Sequence, residues 1–257
     1  ENDQATSLDA RNGTTTGGDP PSITCAGGYP ATCFSVSLIA DDLGSVERVV
    51  ALPDGRLLVL LSGGVVRILP GGEPERVDVD RRSGAADIAD IAVDPDFLTN
   101  RFVYLAIVAS AADGRVAVNV VRMRELAGRL GEAATIAADL PAAAQGRPAM
   151  SIGPDRRIYV AIPSADGRRS ADGPSDGLVL RLTRDGAAAG YERMSSPVLA
   201  VGNARPSAFG WVDSAHLLLA TASFTRGAAL AIVPLRIEGA WPAPMVPLQV
   251  PDTDRLA

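Results

Sequence analysis

The chain has 257 residues, 47% of them apolar and 21% charged, and a net charge of −6. That length gives one large domain or two small ones with a sizeable core, and the negative balance excludes a nucleic-acid partner held by a general basic field. All 24 basic residues are Arg and His216 is the one histidine, so lysine Schiff bases, lysine-bearing phosphate loops and multi-histidine metal sites are excluded.

Residues 1–24 are polar and rich in Thr, Gly, Asp and Asn. They carry too few apolar side chains to fold alone and read as a disordered arm. Cys25 and Cys33 follow in CAGGYPATC. Gly and Pro between them suit a small closed loop, read as a disulfide, with two free thiols as the alternative. The expected division is an arm with this loop over 1–34 and one β domain over 35–257. A disulfide implies export, and a chain beginning at Glu1 reads as processed. The expected location is therefore secreted, periplasmic or cell-surface. No apolar run is long enough to span a bilayer.

From Phe34 the pattern becomes one of short strands. FSVSLIA alternates. Arg48–Leu52, Leu57–Leu61, Val65–Leu69 and Arg76–Val79 then form a meander through tight turns. A second unit holds Ile88–Val93, Phe102–Val108, Val116–Met123 and Ala133–Leu140. Between its first two strands lies the polar turn Asp94–Arg101, with Pro for a fixed φ and Asp and Asn for local hydrogen bonds. Arg124–Glu132 carries two glycines and reads as loop. A third unit holds Ala149–Ile152, Ile158–Ile162, Leu178–Thr183 and Pro197–Val201. A fourth holds Ser207–Val212, His216–Thr221, Ala228–Ile237 and Met245–Val250.

Asp54, Asp96, Asp155 and Asp213 mark the turn after the first strand of each unit, at intervals of 42, 59 and 58 residues. Four-stranded units at this spacing predict an all-β propeller of antiparallel blades, four of them visible. A two-sheet sandwich is the alternative. A βαβ fold is excluded by the lack of sustained helical periodicity.

Several pieces together resemble the glucose/sorbosone dehydrogenase family, soluble sugar dehydrogenases that use pyrroloquinoline quinone (PQQ). IADIAVDPDFLTNRFVYLAI resembles its second-blade signature, and RVVALPDGRLLVLLSGGVVRIL its opening blade. SIGPDRRIYVAI is similar to its Gly-Pro-Asp strand pair, GLVLRLTRDG to a later strand and turn, and SPVLAVGNARPSAFGW to the approach to its Gly-x-Arg-Asn-Pro loop. The resemblance covers roughly residues 36–215. It implies a six-bladed propeller with PQQ over the central channel, calcium in support, a sugar or other small molecule as partner, and a histidine base taking the sugar C1 hydroxyl proton.

Gln145 occupies the place of that histidine, and an amide cannot titrate near neutral pH. Ala144 precedes it. Ala204 and Arg205 align with the family's Arg-Asn pair, so the surviving Arg is shifted by one residue. Arg205 and Asn203 are the cofactor-binding candidates that remain. Asp87 and Asp90 occupy the places of the two glycines in the family's Gly-Leu-Leu-Gly. His216, at a strand start, reads as solvated or hydrogen-bonded rather than catalytic. Asp166, Asp172 and Asp176 lie in a polar insertion that reads as solvated, with calcium binding as the alternative. No metal ligand is assigned. The expectation is a secreted propeller of this family whose PQQ-dependent sugar oxidation lacks its base, or a non-catalytic extracellular binding propeller. A metal-dependent lactonase-type propeller fits less well, since none of the eight Glu begins a first strand.

Overall fold

The structure is a computed structural model. It describes residues 22–26, 32–36, 38–70, 75–76, 86–110, 116–142, 147–163, 178–189, 198–200, 206–213, 216–223, 227–234 and 248–249. The chain divides into two compact units, Glu1–Gly44 and Ser45–Ala257.

In the first unit β1 (Ser22–Ala26) pairs antiparallel with β2 (Thr32–Val36), and Cys25 stands opposite Cys33. The strand expected through Phe34–Ala40 therefore ends at Val36 and belongs to this hairpin. Leu38 and Ile39 lie outside any strand and are exposed.

Among the described residues the second unit holds four four-stranded antiparallel sheets, each ordered as the chain runs. The first is β3 (Val46–Ala51), β4 (Leu57–Leu61), β5 (Val65–Leu69) and β6 (Glu75–Arg76). The second is β7 (Ala86–Val93), β8 (Phe102–Ser110), β9 (Val116–Leu126) and β10 (Arg129–Ala142). The third is β11 (Ala149–Ile152), β12 (Ile158–Ile162), β13 (Leu178–Leu182) and β14 (Val198–Ala200). The fourth is β15 (Pro206–Asp213), β16 (His216–Ser223), β17 (Gly227–Pro234) and β18 (Leu248–Gln249).

The second sheet is buried on both faces, which explains its unbroken apolar runs. Val103, Leu105 and Ile107 of β8, with Val121 and Met123 of β9, pack on Leu58, Leu60, Val66 and Ile68 of the first sheet. Tyr104 and Ala106, with Val118 and Val120, face Met150, Ile158, Val160 and Leu180 of the third. A strand that must satisfy two cores cannot alternate apolar with polar. The β7–β8 ladder shifts register between Ile88 and Asp90. That bulge lets Ile88 and Ile91, three apart, both reach the core shared with the first sheet.

The turns after the first strands share one hydrogen-bond frame. Leu52 N donates to Arg56 O and Gly55 N to Leu52 O; likewise Gly153 N donates to Arg157 O and Arg156 N to Gly153 O. LPDGR and GPDRR are thus one turn written twice. The position after Asp is left-handed in both, with φ of 87° at Gly55 and 62° at Arg156. In the second sheet the same frame, opened by Asp94-Pro95-Asp96, is widened by one helical turn, α1 (Phe97–Asn100), with Asp94 N donating to Phe102 O.

A second expectation is overturned. Arg124–Glu132, read as loop, is mostly strand: β9 runs to Leu126, Ala127-Gly128 turns, and β10 begins at Arg129. Ala127 and Gly128 have φ of 52° and 90°, the two-residue hairpin turn that suits the twist of paired strands.

Candidate functional site

The first strands of successive sheets lie beside one another: β7 contacts β3 and β11, and β11 contacts β15. Each is the edge of its own sheet, so its outward N–H groups need partners from elsewhere. Asp90 answers part of this need. Its carboxylate accepts from Met150 N on β11 at 2.7 Å and from Ile91 N at 2.8 Å. Arg48 Nε of β3 lies 3.0 Å from the same group. One side chain, 3% exposed, thereby ties three sheets together. Burial pushes its pKa up, against the pull of the Met150 N–H and of Arg48.

A second cluster sits at the starts of these strands. Arg147, just before β11, reaches Glu47 at 2.6 Å, Asp87 at 3.6 Å and the carbonyl oxygen of Ile88 at 2.5 Å. The Arg147 hydrogen bond holds the Glu47 carboxyl below its ordinary range.

The opposite ends carry ion pairs that cross from sheet to sheet. Arg56 pairs with Asp54 at 2.8 Å and with Glu125 at 3.0 Å. Arg101 joins Asp54 at 2.8 Å and Glu125 at 3.7 Å. Arg184 of the third sheet holds Asp94 at 2.9 Å and Asp96 at 2.8 Å. Arg156 also pairs with Asp96. Two buried phenols complete the pattern: Tyr104 donates to Asp94 at 2.7 Å and Tyr159 to Asp155 at 2.8 Å. Burial, and then the neighbouring carboxylate, pushes both phenols up, so neither serves as a base near neutral pH. Trp211 of β15 packs edge-on against Tyr159, 4.7 Å between centroids, and donates to Ser151 Oγ at 3.2 Å.

Between β3, β7 and β11 an open cleft of about 290 Å³ is lined by Arg48, Val50, Ile91, Asp94, Met150 and Ile152, among others. This is the lower end of the size range of small-molecule sites.

Gln145, Ala144, Asn203, Ala204, Arg205, Asp166, Asp172 and Asp176 lie outside the described residues. In sequence, Gln145 comes four positions before β11, and Asn203 and Arg205 come just before β15. His216 begins β16, and its Nδ1 lies 2.8 Å from Asp213 Oδ2 across the hairpin turn. Sequence reasoning did not find Arg48 and Arg147. Their only signal was charge beside a first strand. Asp87 and Asp90 were noticed, but as departures from glycine rather than as members of a network. Among the described residues no group of three or more His, Cys, Asp or Glu could hold a metal ion. No helix among them is long and apolar enough to cross a membrane.

A family model described as glucose/sorbosone dehydrogenase matches residues 46–210. The chain belongs to the glucose/sorbosone dehydrogenase family. A search by sequence among curated proteins finds no match. Solved structures similar to this family member include a glucose dehydrogenase, with TM-score 0.61, 19% identity, and coverage of 88% of this chain and 67% of that one. Another is the apo form of the soluble aldose sugar dehydrogenase from Escherichia coli, with TM-score 0.62, 18% identity, and coverage of 87% and 67%. The holo form of the pyranose dehydrogenase PQQ domain from Coprinopsis cinerea is more remote, with TM-score 0.52, 11% identity, and coverage of 77% and 52%. At these identities the likeness is one of fold, and this family member spans about two thirds of the first two structures.

PQQ is a tricarboxylic quinone and needs cations with free donors. At the starts of the first strands the described residues offer three carboxylates, Glu47, Asp87 and Asp90, against two cations, Arg147 engaged by the first two and Arg48 beside the third. Asp87 and Asp90 occupy places that resemble glycine positions of the family, where a side chain would be absent. These described residues do not fit the quinone.

Proposed function

We propose that this glucose/sorbosone dehydrogenase family member is a β-propeller that binds a sugar-like small molecule where its first strands meet and does not carry out quinone-dependent oxidation. The observation that carries this reading is the packing of Glu47, Asp87 and Asp90 around Arg147 and Arg48. Together they set three carboxylates against a tricarboxylate and leave Arg48 as the one cation with spare donors among the described residues at the strand starts, too few for three carboxylates. Gln145 in the place that resembles the family's histidine supports it, since an amide cannot take the hydroxyl proton. The serial packing of the first sheet on the second, and of the second on the third, with first strands adjacent, supports a ring of blades.

The test is dye reduction by purified protein with PQQ, calcium and a set of aldoses, run beside Gln145→His. The expected outcome is no reduction by either protein. Reduction by the wild type overturns the reading, and reduction by Gln145→His alone places the loss at that one residue. PQQ-dependent aldose oxidation is the second reading, favoured by the family match and by the likeness in fold to an aldose sugar dehydrogenase and to a PQQ domain.

Export also belongs to this proposal, to the periplasm, the cell surface or the medium. Directly opposed residues of an antiparallel pair have Cα atoms roughly 4.5–5.5 Å apart, inside the span a disulfide needs. The Cys25–Cys33 register supports such a bond. Thiol titration of the unfolded, unreduced protein is expected to find no free thiol.

A further inference from the structure

Several of the arginines that bridge the sheets hold two carboxylates. Arg56 and Arg101 each reach both Asp54 and Glu125. Arg147 reaches Glu47 and Asp87, and Arg184 reaches Asp94 and Asp96. Arg156 and Arg122 bridge the second and third sheets with one carboxylate each, Asp96 and Asp185. Arg48 holds one, Asp90, through Nε at 3.0 Å. Among the described residues no second carboxylate reaches it. A guanidinium presents its five N–H groups in a planar fork, and the contact at Nε, a close approach of charges without an aligned hydrogen bond, leaves donors on its outer edge. Arg48 lines the cleft of about 290 Å³ between β3, β7 and β11.

The rest of that cleft decides what kind of molecule suits it. Val50 and Ile152, both half-buried, give it apolar surface, while the side chains of Ile91 and Met150 are buried in the two cores. Asp94 also lines it, but its carboxylate already accepts from Tyr104 and pairs with Arg184, so it is not an open acceptor for a sugar hydroxyl. One cation with spare donors beside an apolar surface, with no open acceptor of comparable strength, selects for an anion with a carbon body. We propose that the cleft binds a small organic monocarboxylate, its carboxylate on the outer edge of the Arg48 guanidinium and its carbon body against Val50 and Ile152. The proposal deepens the binding reading above and rests on it. It replaces a neutral sugar by a sugar acid or a similar carboxylate as the favoured ligand.

The test is a thermal-shift titration of the full chain with D-glucuronate and 4-methylpentanoate, each beside a neutral counterpart, D-glucose and 4-methylpentanamide. A ligand that binds only the folded state raises Tm with concentration. The carboxylates are expected to give saturable rises, and the neutral partners to bind about tenfold more weakly or not at all, because an Arg–carboxylate contact is charge-assisted and directional. Arg48→Gln is expected to weaken carboxylate binding by about tenfold or more. Should that variant fail to fold, Ala51→Leu keeps the question open to test. Ala51 is exposed and lines the same cleft, so the larger side chain narrows it while the Arg48–Asp90 pair stays. Its expected result is loss of the saturable rise. Equal response to a carboxylate and its neutral partner, or undiminished binding in Arg48→Gln or Ala51→Leu, overturns the proposal. A rise with D-glucose alone overturns it while leaving the binding reading in place. PQQ-dependent dye reduction overturns the binding reading itself.

Discussion

At the scale of single residues, Asp90 carries more of the architecture than any other polar side chain described. It supplies the acceptor for an edge-strand N–H on the next sheet and holds a cation from the previous one. Asp90→Ala leaves the Met150 and Ile91 N–H groups without their acceptor and Arg48 without its partner. The expected loss is about 2–3 kcal/mol in urea unfolding, the cost of stranding buried donors. Asp90→Asn keeps one acceptor oxygen and is expected to lose about half as much by the same reasoning. A neutral Asp90→Ala would mean that water takes over these N–H groups. None of this was legible in the sequence. Asp90 and Met150 are 60 residues apart, and no local pattern announces which backbone amide a carboxylate will meet. What could be read was only the oddity of an acidic residue inside an apolar strand. His216 was legible for the opposite reason, because its partner Asp213 is three residues away on the same hairpin.

At the scale of elements, the strands came through well where the second and third residues of each turn are Pro-Asp. Ala149–Ile152 and Ile158–Ile162 flank Gly153-Pro154-Asp155 as expected. The β9–β10 hairpin did not come through, because its turn uses Ala127 and Gly128 inside a run of charged residues typical of an exposed outer strand. Glycines separate the two kinds of turn constraint. At Gly186, φ is +86° and an added Cβ would lie 1.7 Å from Ile136 O, where the β13 turn crosses β10. At Gly128, φ is +90° but nothing lies within 4 Å. Gly128→Ala is therefore expected to cost only the left-handed penalty, about 1–2 kcal/mol. Gly186→Ala must also push a sheet-to-sheet contact apart and is expected to cost about 3 kcal/mol or more, as severe overpacking does. Urea midpoints of the two variants, measured side by side, check the contrast. Equal losses would show that the Gly186 contact yields freely.

At the scale of the whole molecule, the sheets are joined by apolar faces on the inside and by carboxylate–arginine pairs at both ends of the first strands. The apolar joints were legible as doubly buried runs. The ionic joints were not, since they link residues of different sheets far apart in sequence. They predict how the second unit responds to acid. The Arg56 hydrogen bond holds Asp54 down to about 2. Arg56 likewise lowers Glu125, Arg147 lowers Glu47, and Arg156 lowers Asp96. A carboxyl whose pKa is depressed on folding binds its proton more readily in the unfolded chain. Its stabilising effect is full above the unfolded value and is lost as pH falls through the folded one. Asp90 runs the other way: burial raises its pKa, so its ionisation opposes folding at neutral pH and acid relieves that cost. Four groups oppose one, and each of the four ties residues of different strands together. The urea midpoint is therefore expected to hold near neutral pH and to fall steadily from about pH 5 toward about pH 2, the window between the ordinary carboxylate range and the value held at Asp54. Arg56→Gln removes the cation that lowers both Asp54 and Glu125, so its midpoint should fall less steeply over the same window from a lower starting value. A midpoint that stays flat or rises down to about pH 3 would mean that Asp90 outweighs the other four, and that the buried bridge rather than the turn pairs governs the acid limit of the fold.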